Sequence, residues 1–426
     1  MGSGYVGLTS AACFAHLGHT VVCTDVDADR IARLIAGECP ILEAGLDNLL
    51  REGLGGGRLR FEVGSADAAA ESEFVYLCVP TPQGADGSAD LSFIEAVAAE
   101  IADRLQPDSV VINKSTVPVG STRVVERVLE RSDVHVVSNP EFLREGSAVH
   151  DFLNPDRIVI GADDQSAAIR VAALFIGVAA PLIVTDPASA ETIKYAANAF
   201  LATKISFVNA VAAVCEAVGA DMNDVVLGMG YDRRIGSEFL RPGPGWGGSC
   251  FPKDSRALVR IAEDAGYEFD LLEGVITVND EQFDRVAAKA VELAGGSVDG
   301  LTLAVWGLTF KARTDDLRES PSLAIIDRLR AAGARIRAFD PSMPGGNPNE
   351  RQADLLGDIE VCADPYAACE GAEVLLVLTE WDEFRWLDLD KVAAAMASLR
   401  VVDGRNVLDR EALRRRGFDY RGVGRV

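Results

Sequence analysis

The sequence predicts an α/β protein with two doubly wound domains, joined by a long central helix and a helical middle domain. Three observations carry this expectation. A glycine-rich hexapeptide, Gly2-Ser-Gly-Tyr-Val-Gly7, opens the chain and leads into a helix-like stretch. Short apolar runs bounded by turn residues then alternate with amphipathic segments, first near the N-terminus and again near the C-terminus. Between these two series lies a stretch from Pro187 to about Val218 with no interior glycine or proline.

In the first series the fingerprint helix runs to Leu17. The strand-like Thr20-Val-Val-Cys-Thr-Asp25 follows, then runs at Phe74–Val79, Ser109–Asn113, Val134–Val137, Arg157–Ile160 and Leu182–Thr185. This gives a Rossmann-like domain over 1–185. The fingerprint normally follows a strand, and here only Met1 precedes it, so the central first strand is expected to be missing. Such a chain is expected to be less stable than one with about six more apolar residues at the N-terminus.

From Glu191 the chain reads apolar nearly all round, and Asp186-Pro187 supplies a cap and a first-turn proline. At 1.5 Å per residue this helix spans about 50 Å. A helix so long and apolar is expected to be buried between domains or subunits. The helical middle domain is placed at 186–295. A second Rossmann-like domain is placed at 296–426, with strand runs at Thr302–Trp306, Arg335–Asp340, Val374–Thr379 and Arg400–Asp403.

Composition narrows the function classes. A net charge of −24 argues against nucleic acid and anionic membrane surfaces as partners. No secretion signal is recognisable and no apolar run is expected to span a membrane, so the cytoplasm is the expected location. Eight cysteines show no CxxC pair and no metal-ligand spacing with histidine; no metal site is expected, and reduced thiols filling the core are. Only 7 of the 41 cationic residues are lysines, which makes each one a candidate for proton chemistry that arginine cannot perform. None of the four histidines falls in a motif described below, which weighs against a hydroxyacid dehydrogenase with a histidine base.

The hexapeptide fits a dinucleotide site. The first glycine makes the turn, the second lets the backbone approach a pyrophosphate, and the third allows close packing. Asp25 ends the next strand about 20 residues on, where a carboxylate bonds a ribose 2′-OH and repels a 2′-phosphate, favouring NAD over NADP.

A second segment is dense in unusual residues: Arg241-Pro-Gly-Pro-Gly-Trp-Gly-Gly-Ser-Cys-Phe-Pro-Lys-Asp254. Glycines let backbone amides converge on a bound group, and a nearby cation raises the thiolate fraction of a cysteine. Read alone, the segment also suits a glycine-rich loop with an incidental cysteine.

Taken together, six spaced motifs resemble the UDP-glucose/GDP-mannose dehydrogenase family over essentially the whole chain. They are Gly2–Gly7, Lys114-Ser-Thr-Val-Pro118, Asn139-Pro-Glu-Phe-Leu-Arg-Glu145, Lys194-Tyr-Ala-Ala-Asn198, Gly247–Asp254, and Gly307–Lys311 with Thr314–Ser320. The resemblance implies oxidation of a nucleotide-sugar C6 alcohol to a carboxylate with two NAD⁺, through a thiohemiacetal and a thioester on Cys250. Covalent capture keeps the aldehyde from escaping and leaves an adduct able to give a second hydride.

By the same resemblance Lys194 and Asn198 serve proton transfer. They are one helical turn apart, so both project from one face, whereas Lys204 lies on another face and is read as structural. Glu141 matches the base for thioester hydrolysis, and Asp254 and Thr116 the residues that organise the water. Cofactor contacts are implied at Gly2, Gly4, Tyr5, Val6, Gly7, Asp25, Arg30, Thr81, Thr116, Glu145 and Arg318. Sugar-nucleotide contacts are implied at Glu141, Phe142, Leu143, Lys194, Asn198, Arg234, Phe239, Leu240, Arg241, Gly247, Phe310, Lys311 and Arg405. Ser249 before the cysteine and Phe-Pro-Lys-Asp after it favour the glucose/mannose branch over N-acetylated sugars. Pro242–Gly247 and Asn154-Pro-Asp-Arg157 favour UDP-glucose over GDP-mannose. A homodimer is expected. A two-electron β-hydroxyacid dehydrogenase and a non-catalytic NAD-binding scaffold remain as rival readings.

Overall fold

The computed structural model describes residues 1–84 and 89–425. The chain divides into two compact units: Met1–Ala197 with Arg256–Tyr267, and Asn198–Ser255 with Glu268–Val426.

In the first unit the strands are β1 (Val21–Asp25), β2 (Leu59–Val63), β3 (Phe74–Leu77), β4 (Val110–Asn113), β5 (His135–Ser138), β6 (Ile158–Gly161) and β7 (Leu182–Thr185). β1 and β2 form a parallel pair, and β3-β4-β5-β6-β7 form a five-stranded sheet. All its pairings are parallel except β5 with β6, which meet antiparallel at Ser138 and Gly161. Met1 and Gly2 lie between the two pieces. Gly2 donates its amide to Thr24 of β1, while Met1 receives the amide of Cys78 and donates its amine to Tyr76 of β3. Two residues thus occupy the place where the fingerprint leads one to expect a central strand. The core on one face centres on Phe14, whose ring meets Phe152 and Phe175 edge-on.

The second unit holds β8 (Thr302–Trp306), β9 (Arg335–Phe339), β10 (Glu360–Val361), β11 (Val374–Val377), β12 (Arg400–Asp403) and β13 (Asp419–Gly422). They pair parallel throughout in the order β10-β9-β8-β11-β12-β13. Counted from β8 this is 3-2-1-4-5-6, the doubly wound order with its switch point between β8 and β11. The inner strands β8 and β11 are buried on both faces, which is why they read as continuous apolar runs. Gly307, just past β8, has φ +90°, and a Cβ there would lie 2.4 Å from Cβ of Thr379. Only glycine lets the two strand ends close this tightly.

The long helix runs Pro187–Val218, 32 residues. Asp186 caps it, accepting the Ser189 amide at 2.8 Å and the Ser189 hydroxyl at 2.6 Å. Contrary to the expectation that no apolar run could span a membrane, this helix is long and apolar enough to do so by length and composition. The difference arises because small and apolar residues surround a few isolated polar ones, so the average hydropathy stays high. Those polar residues are fixed within the protein. Glu191 is buried and accepts the Gly120 amide at 2.6 Å, the Thr122 amide at 2.9 Å and the Thr122 hydroxyl at 2.7 Å. It thereby caps the Ser121–Leu129 helix from outside. Burial pushes its carboxyl up, and the three donors oppose that shift.

Replacing Glu191 with Ala strands these buried donors. The expected cost is roughly 2–3 kcal/mol, seen as a lower denaturant midpoint with an unchanged slope.

Candidate active site

The glycine turn has the geometry that a dinucleotide requires. Gly2 sits at φ +87°, and a Cβ there would lie 2.6 Å from the Cys78 carbonyl oxygen. A Cβ at Gly7 would lie 1.8 Å from the Gly2 carbonyl oxygen. Gly4, by contrast, faces open space within 4 Å and leads into the Tyr5–His16 helix, whose N-terminus no side chain caps. Two glycines are therefore needed for packing, and the third leaves backbone accessible to an anion. Asp25 accepts both the amide and the hydroxyl of Ser3 at 2.7 Å, with Arg30 4.0 Å away. Its carboxyl is lowered because these donors and Arg30 outweigh the opposing effect of partial burial, so it stays anionic at the edge of the turn. These residues fit NAD.

The structure joins several other sequence-predicted cofactor positions. The Tyr5 hydroxyl meets Glu43 and receives the Gly146 amide at 2.8 Å, and Glu43 also accepts that amide at 2.7 Å. The fingerprint turn is thus tied to the loop bearing Glu145. Burial and Glu43 hold the Tyr5 phenol far above its ordinary range. Thr81 donates its hydroxyl to the Thr116 carbonyl at 2.9 Å, and both residues are buried. Arg318 lies in the second unit, where it forks onto Asp316 at 2.9 and 2.6 Å.

Lys194 and Glu141 form a buried ion pair, Nζ to Oε1 3.0 Å, with both side chains about 5% exposed. The other Glu141 oxygen accepts the Leu143 amide at 2.6 Å. Phe142 turns its ring toward Lys194, 5.4 Å from Nζ, and carries the Arg157 guanidinium 3.6 Å above its centroid. One turn along the long helix, Asn198 donates to Asp254 Oδ2 at 2.6 Å, and Lys253 donates to Oδ1 at 2.6 Å. Asp254 is wholly buried. Lys204 donates to the Ile235 carbonyl at 3.2 Å, as suits a structural lysine.

Cys250 immediately precedes the Phe251–Asp264 helix, and its carbonyl accepts the Asp254 amide at 2.8 Å. Of the eight thiols, only Cys39 and Cys250 are not buried. Burial pushes Cys13, Cys23 and Cys369 up to about 12 and raises Cys39 and Cys78 as well, which suppresses their thiolates. The glycine loop before Cys250 nests against the 307–320 segment. A Cβ at Gly247 would fall 1.9 Å from the Glu319 carbonyl oxygen, and one at Gly248 would fall 2.7 Å from the Phe310 ring. Arg405 donates to the Phe310 carbonyl at 3.1 Å and stands 3.2 Å from a Cβ built at Gly243. Gly247, Phe310 and Arg405 are therefore one cluster, with Lys311 over the Phe310 ring at 5.2 Å. Leu240 is buried. Phe239 faces Phe251 at 6.3 Å and adopts φ +63°, a strained conformation for an aromatic residue. Arg241 is exposed, and Arg234 is exposed and forked onto Asp232, so neither is held at this cluster.

Sequence reasoning missed Glu43, Asn139 and Glu191, and gave Lys114 no role. Lys114 is buried and donates to Asn139 Oδ1 at 3.1 Å, while Asn139 donates to the Val159 carbonyl at 2.8 Å. Desolvation brings the Lys114 ammonium down to about 8, against the opposing pull of Cys78 and Glu141. The scarcity of lysine and its place at the head of the Lys114–Pro118 motif were the signals that marked it.

Comparison with known proteins places the chain. Three models of the UDP-glucose/GDP-mannose dehydrogenase family match it: the NAD binding domain at 1–178, the central domain at 188–281 and the UDP binding domain at 304–410. The chain belongs to this family, and NAD is its cofactor. It is 46% identical to a UDP-glucose 6-dehydrogenase of Rhizobium meliloti, over 100% of this chain and 98% of that one. It is 45% identical to one from Pseudomonas aeruginosa, over 100% and 96%. The solved structure of a UDP-glucose dehydrogenase from Pyrobaculum islandicum superposes with a TM-score of 0.91 at 39% identity, covering 100% of this chain and 96% of that one.

The Lys114 shift has a sign that can be checked. Between pH about 8 and its ordinary 10.5, the unfolded chain holds a proton that the folded protein has released. Folding stability relative to Lys114→Met should therefore rise across that window, by up to about 3 kcal/mol. Chemical denaturation at a series of pH values measures it.

Proposed function

We propose that this protein is a UDP-glucose 6-dehydrogenase, converting UDP-glucose, two NAD⁺ and water to UDP-glucuronate and two NADH. The observation that carries the reading is the pair of buried acids held from one helix: Glu141 by Lys194 and Asp254 by Asn198. Burying both acids is costly, and a non-catalytic NAD scaffold has no use for them. The full-length relatives named UDP-glucose 6-dehydrogenase support the choice of sugar.

NAD, when bound, accepts a hydride in each of the two oxidations. Gly2, Gly4, Tyr5, Val6, Gly7, Asp25, Arg30, Thr81, Thr116 and Glu145 would hold it, with Arg318 as a further contact. Cys250 attacks the C6 aldehyde as a thiolate, favoured by the helix that starts after it and by the neighbouring Lys253. Lys194, as ammonium, stabilises the alkoxide and relays its proton, while Asn198 orients the oxygen. Glu141 takes a proton from the water that cleaves the thioester, and Asp254 and Thr116 orient that water. By the family resemblance, Phe142, Leu143, Arg234, Phe239, Leu240, Arg241, Gly247, Phe310, Lys311 and Arg405 would contact the sugar nucleotide. The three-part layout 1–185, 186–295 and 296–426 assigns NAD to the first part and UDP to the last. The cytoplasm is where the cofactor and a reduced Cys250 would both be available.

We also infer a homodimer. Along the long helix Phe200, Phe207, Val214 and Val218 are all more than half exposed, at spacings of seven, seven and four. That spacing makes one apolar stripe suited to a second copy of the helix.

Purified protein supplied with UDP-glucose should form two NADH per sugar, and Cys250→Ser should form uronate at least a thousandfold more slowly. One NADH per sugar, or a preference for GDP-mannose in the same assay, refutes the assignment. Light scattering should report a dimer that Phe207→Glu converts largely to monomer.

A further inference from the structure

Beneath the Pro140–Arg144 loop lies a cavity of about 130 Å³, lined by Lys114, Asn139, Glu141, Phe142, Asp151 and Arg157 among others. The exposed residues His150, Asn154 and Asp156 also line it. On this measure a single water needs only about 10–15 Å³, so the cavity has room for several. A polar cavity of that size fills with ordered solvent, whereas an apolar one stays dry.

Lys114 is the group that most needs such solvent. An ammonium offers three donors. Among the described residues Lys114 makes one hydrogen bond, to Asn139. Two aromatic rings, Phe152 and Phe175, stand 5.9 and 5.8 Å from Nζ, and neither replaces a full acceptor. Burial without further acceptors is what depresses the lysine. Water in the cavity would satisfy the remaining donors. Glu141 forms part of the same wall, so such a water lies within the reach of a carboxylate already read as a base.

We propose that the Lys114 cavity is the water store for thioester hydrolysis, with Lys114 as the positioning residue that anchors the waters beside Glu141. This rests on the dehydrogenase reading above and adds to it the route by which water arrives. In the hydrolytic step a water oxygen bonds to the thioester carbonyl carbon, and one water proton passes to Glu141. The C–S bond breaks with its electron pair leaving on the Cys250 sulfur, and the acid is released. Both hydride transfers precede this step and need no water. Loss of Lys114 should therefore stall the enzyme after the second NADH.

The test uses the full-length protein carrying Lys114→Met or, as a second variant that keeps a polar side chain, Lys114→Gln. NAD binding is first titrated to confirm the fold. Rapid mixing with UDP-glucose and saturating NAD⁺ then follows NADH, and intact-protein mass spectrometry follows adducts. The expected result is a burst of two NADH per active site, a steady rate at least tenfold below wild type, and a covalent acyl adduct on the protein that hydroxylamine releases. Asn154→Trp, at an exposed lining position, should lengthen the life of the same adduct. Wild-type turnover in both Lys114 variants, slow turnover with no adduct, or loss of NAD binding in both overturns the proposal. If wild-type protein itself forms fewer than two NADH per UDP-glucose, it is the dehydrogenase reading that has failed.

Discussion

The buried pairing of Lys194 with Glu141 is the constraint on which the remaining arrangement depends. Two charges about 5% exposed are sustained by satisfying each other, and the Leu143 amide takes the second Glu141 oxygen. That requirement fixes the long helix at one point against the loop after β5. Glu191, one turn earlier, fixes the same helix against the Gly120–Thr122 turn. Asn198, one turn later, fixes Asp254. Three polar residues at spacings of three and four thus make a single helix edge into a template. An otherwise apolar helix is set in register by these residues, because greasy contacts alone would tolerate sliding or rotation.

A template of this kind suits chemistry that runs in stages. Hydride transfer and hydrolysis make opposite demands, since the first is best kept dry and the second consumes water. The structure separates the groups concerned. The glycine turn, fastened by Asp25 and by the Tyr5–Glu43–Gly146 contacts, presents bare backbone. The polar cavity with Lys114 lies behind Glu141. One carboxylate therefore belongs both to the ion pair and to the cavity wall.

Much of this was legible in the sequence, and the rest was not, for physical reasons. Asp186 could be read as a cap because its partner Ser189 is three residues away, and the chain from Pro187 to Val218 was recognisably one helix. The fingerprint was legible because its glycines are required by local crowding. Cys250, Lys194 and Asn198 stood out through motif context. By contrast, Glu43 contacts an amide 103 residues away, and Glu191 contacts a turn about 70 residues away. No spacing announces such pairs. Met1 and Gly2 bridging β1 and β3 is likewise a tertiary result, where the sequence suggested only that a strand was lacking. Arg234 and Arg241 stand exposed, Arg234 forked onto Asp232, and no spacing in the sequence separates them from the motif cations that are packed.

The central claim is that Lys194 and Glu141 act as one unit. A double-mutant cycle on turnover, with Lys194→Met, Glu141→Gln and the combination, tests it most directly. The account predicts strong coupling, with the double variant about as slow as the slower single variant. Losses that simply multiply would contradict it.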